Sequence, residues 1–84
     1  MTIYKPRGLR LLARRIKATR QDRGFSQVVL SSRSGVNRGL IIRLEDGTGD
    51  TSSLRLKALA EALEVSADYL LGLTDVPNPK VLTP

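Results

Sequence analysis

Helices in this chain are told to stop before they become long. Gly24, Gly35, Gly47 and Gly72 each follow a stretch whose apolar residues recur at spacings of three and four, and Ser26, Asn37, Thr51 or Ser52, and Ser66 stand where the next stretch begins. Serine and asparagine side chains accept hydrogen bonds from the free amides of a helix start, and glycine takes the left-handed conformation that ends one. The punctuation predicts five short helices over residues 9–23, 27–33, 38–45, 53–63 and 67–71, joined by little else. Composition agrees. Of 84 residues 40% are hydrophobic, 14 of them leucine against three aromatics, which suits packed helices better than a β-sandwich. The expectation is an all-α fold, a compact five-helix bundle in one domain, with enough chain for one small core.

Residues 1–8 read as a basic arm, because Lys5-Pro6 disfavours a helix and Gly8 follows. Residues 9–74 form the body. Residues 75–84 hold the stretch "VPNPKVLTP", a proline-rich tail expected to be extended or mobile. The chain has no cysteine and no histidine, so disulfides, thiolate or imidazole metal sites and neutral-pH histidine acid–base chemistry are excluded. Its acids look like helix caps or surface charges, which positions no catalytic group, and neither a cofactor nor a small-molecule substrate is expected. No apolar run approaches a bilayer's width and no signal peptide is legible, so the expected setting is the cytoplasm.

The net charge of +6 conceals a division. Residues 1–43 carry eleven Lys and Arg against the single acid Asp22, whereas residues 44–84 carry three basic residues against seven acidic ones. A domain polarised this way offers a cationic side to a polyanion, nucleic acid first, with an anionic membrane surface the weaker option.

On the first helix Leu9, Leu12, Ala13, Ile16 and Arg20 share the inner face, and Arg7, Arg10, Arg14 and Lys17 the opposite one. Phe25 can staple and Ser26 cap the second helix. Ser34 to Asn37 is turn chemistry: Gly35 supplies a positive φ, Val36 is a buried peg, and Asn37 caps the third helix. Leu56, Leu59, Ala60 and Leu63 share a face on the fourth. At about 100° per residue, Ile41, Leu44 and Glu45 of the third helix point inward, with Asn37 near them. Gly39 and Arg43 then point outward, flanked by Arg38 and Leu40, with Ile42 largely outward. Such a face, preceded by a tight turn from another short helix, fits the major groove of a duplex. The plainer alternative is that Leu40 and Ile42 are stray hydrophobics on a solvated face.

Residues 12–74 resemble the helix-turn-helix domain of the Xre/Cro-type phage and bacterial repressors, the lambda-repressor-like fold. The resemblance is carried by Ile16 and Arg20, "FSQVVLS" (25–31), "GVN" (35–37), "IIRLEDG" (41–47) and "LKALAEALEVSADYLLGLTD" (56–75) in register. It implies double-stranded DNA as partner, with base-reading positions at Arg38, Gly39 and Arg43, where arginine can bond guanine O6 and N7 in bidentate fashion. Leu40 and Ile42 can touch thymine methyl groups, and Gly39 can let the helix approach the bases. Gln27, at the start of the second helix, implies a phosphate contact. Asn37 is a further phosphate candidate. Arg20 and Glu45 stand where the family has a structural ion pair.

The departures from the family pattern also carry expectations. The loop after the third helix holds Asp46, Thr48, Gly49 and Asp50 where relatives carry basic residues and an asparagine, so the phosphate grip there is weakened or the loop turns away. Arg7, Arg10 and Arg14, with Lys5, can compensate along the backbone, unless that face serves solubility alone. Ser31 replaces the usual alanine. The resemblance also implies a homodimer on half-sites about 34 to 36 Å apart, with Tyr69, Leu73, Val76, Val81 and Leu82 as interface candidates; Leu70 is assigned to the core. A sequence-specific transcriptional regulator, acting as a repressor on a palindromic operator, is the leading reading. An antitoxin-like or adaptor protein is the alternative, using the apolar face of the third helix or the C-terminal surface to bind a protein. An enzyme is the third and weakest.

Overall fold

The first helix sets the frame for the other four, since its inner face meets both the third helix and the fifth. The computed structural model describes residues 7–78, and side-chain burial for residues 9–78. It contains α1 (Arg7–Asp22), α2 (Gln27–Ser34), α3 (Arg38–Asp46), α4 (Ser53–Leu63) and α5 (Ala67–Leu71), with no strand among the described residues. α1 packs on α3 and α5, α2 on α3 and α4, and α4 on α5. Ile16, Leu30, Ile41, Leu44, Leu59, Leu63 and Leu70 are fully enclosed at the centre.

Each of the four later helices begins on the side chain that its sequence supplies. Ser26 accepts from Val29 N, Asn37 from Gly39 N, Ser52 from Arg55 N and Ser66 from Tyr69 N. α2 ends in the turn to α3 with Gly35 at φ 75°, a conformation glycine enters without steric cost. Val36 then drops into the core, and Ser31 Oγ donates to the Val36 carbonyl at 2.6 Å, giving the serine a use in the turn. α4 ends differently, on Glu64 at φ 62°, a left-handed residue with a side chain. Arg23 braces that end by donating from Nε to the Leu63 carbonyl at 2.8 Å.

The first helix starts at Arg7, two residues before its expected beginning, so Gly8 is helical and the arm is shorter than residues 1–8. A glycine there costs at most about 0.5 to 1 kcal/mol relative to alanine, the backbone entropy it loses on becoming helical. The described start of the tail also departs from an extended chain. Ser66 N donates to the Pro77 carbonyl at 2.9 Å, folding residues 75–78 back against the base of α5. The rest of the tail, including Val81 and Leu82, and the arm residue Lys5 lie outside the described residues, as does the Arg7 side chain.

Candidate nucleic-acid interface

The recognition surface follows from which side of α3 the core claims. Leu40, Ile41 and Leu44 are all buried, Leu40 with 9% of its surface exposed, and Ile42 is half-buried. Leu40 is therefore a core residue and not a contact for thymine methyls. The helix turns Leu40 in because burying a third large aliphatic side chain is worth about 1.5 to 3 kcal/mol. Glu45 faces inward as well, its side chain only 4% exposed beside the apolar arc. Asn37 is not inward. It is exposed, in non-helical backbone at φ −57° and ψ 134°, with its Oδ1 accepting from Gly39 N at 2.7 Å.

The outward face retains Arg38 and Arg43, both exposed and without a side-chain hydrogen bond or ion pair among the described residues. Asp46 joins them. It follows Ile42 by four residues and Arg43 by three, which places it on the same side of the helix, and it is exposed as the last residue of α3 rather than part of a loop. Gly39 has a local reason to lack a side chain: a Cβ there would stand 3.0 Å from the Asn37 oxygen that caps the helix. Close approach to bases is thus not the sole account of this glycine.

Behind this face α3 is locked to α1. Arg20 Nε donates to Glu45 Oε2 at 2.7 Å and its second guanidinium nitrogen donates to Oε1 at 3.0 Å, with a third bond at 2.8 Å from Nη1 to the Phe25 carbonyl. The hydrogen bond to Glu45 raises the Arg20 pKa above the ordinary arginine value, against a smaller opposing pull from burial. Gln27 Nε2 donates to the same Glu45 Oε1 at 3.1 Å. The Gln27 side chain is therefore engaged within the molecule at the position where the sequence suggested a phosphate contact.

Arg10, Arg14 and Lys17 stand exposed on α1, and an open groove of about 860 Å³ runs from them to Asp46 and Gly47 at the end of α3. Gly49 folds the following loop tightly onto α3: a Cβ on it would meet the Arg43 Cβ at 2.9 Å and the Arg43 carbonyl carbon at 3.2 Å. The amides of Thr48 and Gly49 both donate to the Arg43 carbonyl, at 3.0 and 3.1 Å.

At the opposite end Tyr69 is half-buried and packed against the core, and the Arg15 guanidinium lies 4.2 Å from its ring centre. Arg15 covers one face of the ring, so Tyr69 offers only part of its surface to a partner. Leu73 and Val76 are 73% and 51% exposed, and Leu71 joins them. The sequence missed Arg15 altogether. Nη1 donates to the Tyr69 and Thr74 carbonyls at 2.6 and 2.7 Å, and Nη2 to Asp75 Oδ1 at 2.8 Å. Among the described residues, no group of His, Cys, Asp and Glu could hold a metal ion, and no helix is long and apolar enough to cross a membrane.

A family model described as a helix-turn-helix domain matches residues 13–76. The restriction-modification controller protein C.AhdI from Aeromonas hydrophila is similar at 29% identity, covering 74% of this chain and 94% of that one with a TM-score of 0.70. The clp gene regulator ClgR from Corynebacterium glutamicum is similar at 28% identity, over 81% of this chain and 72% of that one, with a TM-score of 0.72. A hypothetical transcription factor, NHTF from Neisseria, shares the fold at 24% identity, over 84% and 85% of the two chains, with a TM-score of 0.73. No curated protein matches the sequence.

Proposed function

Because this chain belongs to the helix-turn-helix domain family, we propose that it is a sequence-specific DNA-binding transcriptional regulator, a repressor that binds a palindromic operator in the cytoplasm as a homodimer. The observation that carries this reading is the pair of exposed arginines Arg38 and Arg43, without a side-chain partner among the described residues, on the outer face of α3, a helix whose other side is fixed in the core by Leu40, Ile41 and Leu44. Arginine presented on a rigid helix is suited to the paired acceptors of guanine in the major groove. Arg10 and Arg14 supply backbone contacts that fix orientation without reading sequence. The names of the similar proteins, a restriction-modification controller and a gene regulator, support the same class.

One domain spans only a few base pairs, and two copies on half-sites one helical turn apart extend the site. Leu71, Leu73 and Val76 form the exposed apolar group at the C-terminal end that would join them, with Val28, Val29 and Leu54 exposed elsewhere on the surface. The adaptor reading takes Leu40 and Ile42 as an exposed apolar pair and is favoured by the acidic residues Asp46 and Asp50 after them. With Leu40 buried and Ile42 half-covered it retains only the C-terminal surface, which the homodimer also uses.

Selection of bound duplexes from a random pool, followed by affinity measurements at two salt concentrations, tests the proposal. A regulator enriches a two-fold symmetric sequence and loses affinity steeply as salt rises. Retention of no particular sequence, with affinity indifferent to salt, would refute it.

A further inference from the structure

The chain lacks basic residues in the loop after α3, and the geometry points to Arg55 of α4 as the residue that grips the DNA backbone there instead. This inference rests on the DNA-binding reading. Asn37, Leu40, Arg43, Asp50 and Arg55 line a single hollow of about 280 Å³ beside the outer face of α3. Leu40, nearly enclosed, gives it an apolar lining, and the exposed side chains of Arg43 and Arg55 give it two cations. Asp50 contributes the one carboxylate, whose Oδ1 already accepts from Thr51 N at 2.8 Å. The lining is thus net positive by one charge.

The tight loop brings these groups together. With no Cβ on Gly49, residues 48–49 lie against the Arg43 backbone, and the chain enters α4 within one residue pair of Asp50. Ser52 caps that helix through the backbone N of Arg55, at 3.3 Å, so the position of Arg55 is set by its main chain while its guanidinium stays exposed. Neither Arg43 nor Arg55 forms a side-chain hydrogen bond or ion pair among the described residues, whereas the nearby Lys57 is paired with Glu61 at 3.6 Å. Two available guanidinium groups in one hollow, one of them on the recognition helix, fit a division of labour: Arg43 addresses a base edge and Arg55 the adjoining phosphate. A phosphate oxygen matches the planar fork of arginine.

The full chain is titrated with its selected operator and with an unrelated duplex over a range of salt, as wild type, R55A and R43A. R55A is expected to weaken both duplexes by the same factor, to leave base preference unchanged, and to lower the slope of log affinity against log salt by about 0.9. The wild-type advantage then shrinks about 3.5-fold between 50 and 200 mM salt, as that slope requires. R43A changes which bases are preferred. A second arm follows the Arg55 Nε–Hε resonance during titration with inorganic phosphate alone. Saturation there, with an R55A slope equal to wild type on duplex, would assign the hollow to a free anion and overturn the backbone contact. An unchanged slope without phosphate binding overturns it as well. A wild type that binds neither duplex removes the DNA reading itself, an outcome distinct from the loss of Arg55's role alone. Thermal melting of R55A should match wild type, since the side chain is exposed and the Ser52 cap uses only the backbone.

Discussion

Five residues apart on α1, Arg15 and Arg20 both reach across the molecule to a carboxylate far away in sequence, yet the two acids sit in opposite surroundings. Glu45 keeps 4% of its side-chain surface exposed and Asp75 keeps 95%, while the two arginine side chains are similarly covered, at 11% and 15%. Arg20 is therefore held by its acid, with two bonds to Glu45 and one to a carbonyl. Arg15 is held by two main-chain carbonyls and an aromatic face, with the acid as an addition. A short distance between opposite charges does not rank them. The solvent around the weaker-covered partner does.

The comparison breaks most visibly at Glu45. Glu45→Ala strands the Arg20 guanidinium and is expected to destabilise the domain by about 3 to 5 kcal/mol in a urea titration. Replacing both partners, Arg20→Met with Glu45→Leu, should cost clearly less; an equal or larger loss would mean that the pair stabilises rather than merely requires its partner. Arg15→Ala comes next, at about 2 kcal/mol, from two lost charge-to-carbonyl bonds and the stacked ring. Asp75→Ala should cost less than about 0.5 kcal/mol, and a loss near that of Arg15→Ala would contradict the ranking. The smallest effect is that of alkaline pH. Because the Arg20 pKa is raised on folding, its contribution is complete below the unfolded value and lost only as pH climbs through the higher folded one. The urea midpoint should therefore show no loss attributable to Arg20 between neutrality and about pH 10.

The same contrast separates what could be read from the sequence from what could not. Ser26, Asn37 and Ser66 were legible as caps, and Ser52 as one of two candidates with Thr51, because a cap bonds an amide two or three residues away. Arg15 was not. Its acceptors are backbone carbonyls 54 and 59 residues distant, and any residue provides a carbonyl. Arg20 and Glu45 were found through the family resemblance, since spacing alone does not pair residues 25 apart. On α3 the periodicity separated Arg38 and Arg43 from Ile41 and Leu44, but it misassigned Leu40. With four large aliphatics in five positions, the buried direction is decided by what α1 and α2 present to that helix, and a rotation of about 40° carries Leu40 from flank to core. Asp46 was misplaced by a shorter step, one extra residue of helix.

The bend at Glu64 leaves the molecule an unused reserve. An L-residue held at φ 62° forgoes about 1 kcal/mol that a residue without a β-carbon would not, and the spot caps the C-terminal end of α4, braced by Arg23, whereas Arg55 beside Arg43 stands near the N-terminal end. Glu64→Gly offers a way to offset harmful changes elsewhere, so that variants retuning the reading surface toward new sequences can be carried on a backbone with margin to spare.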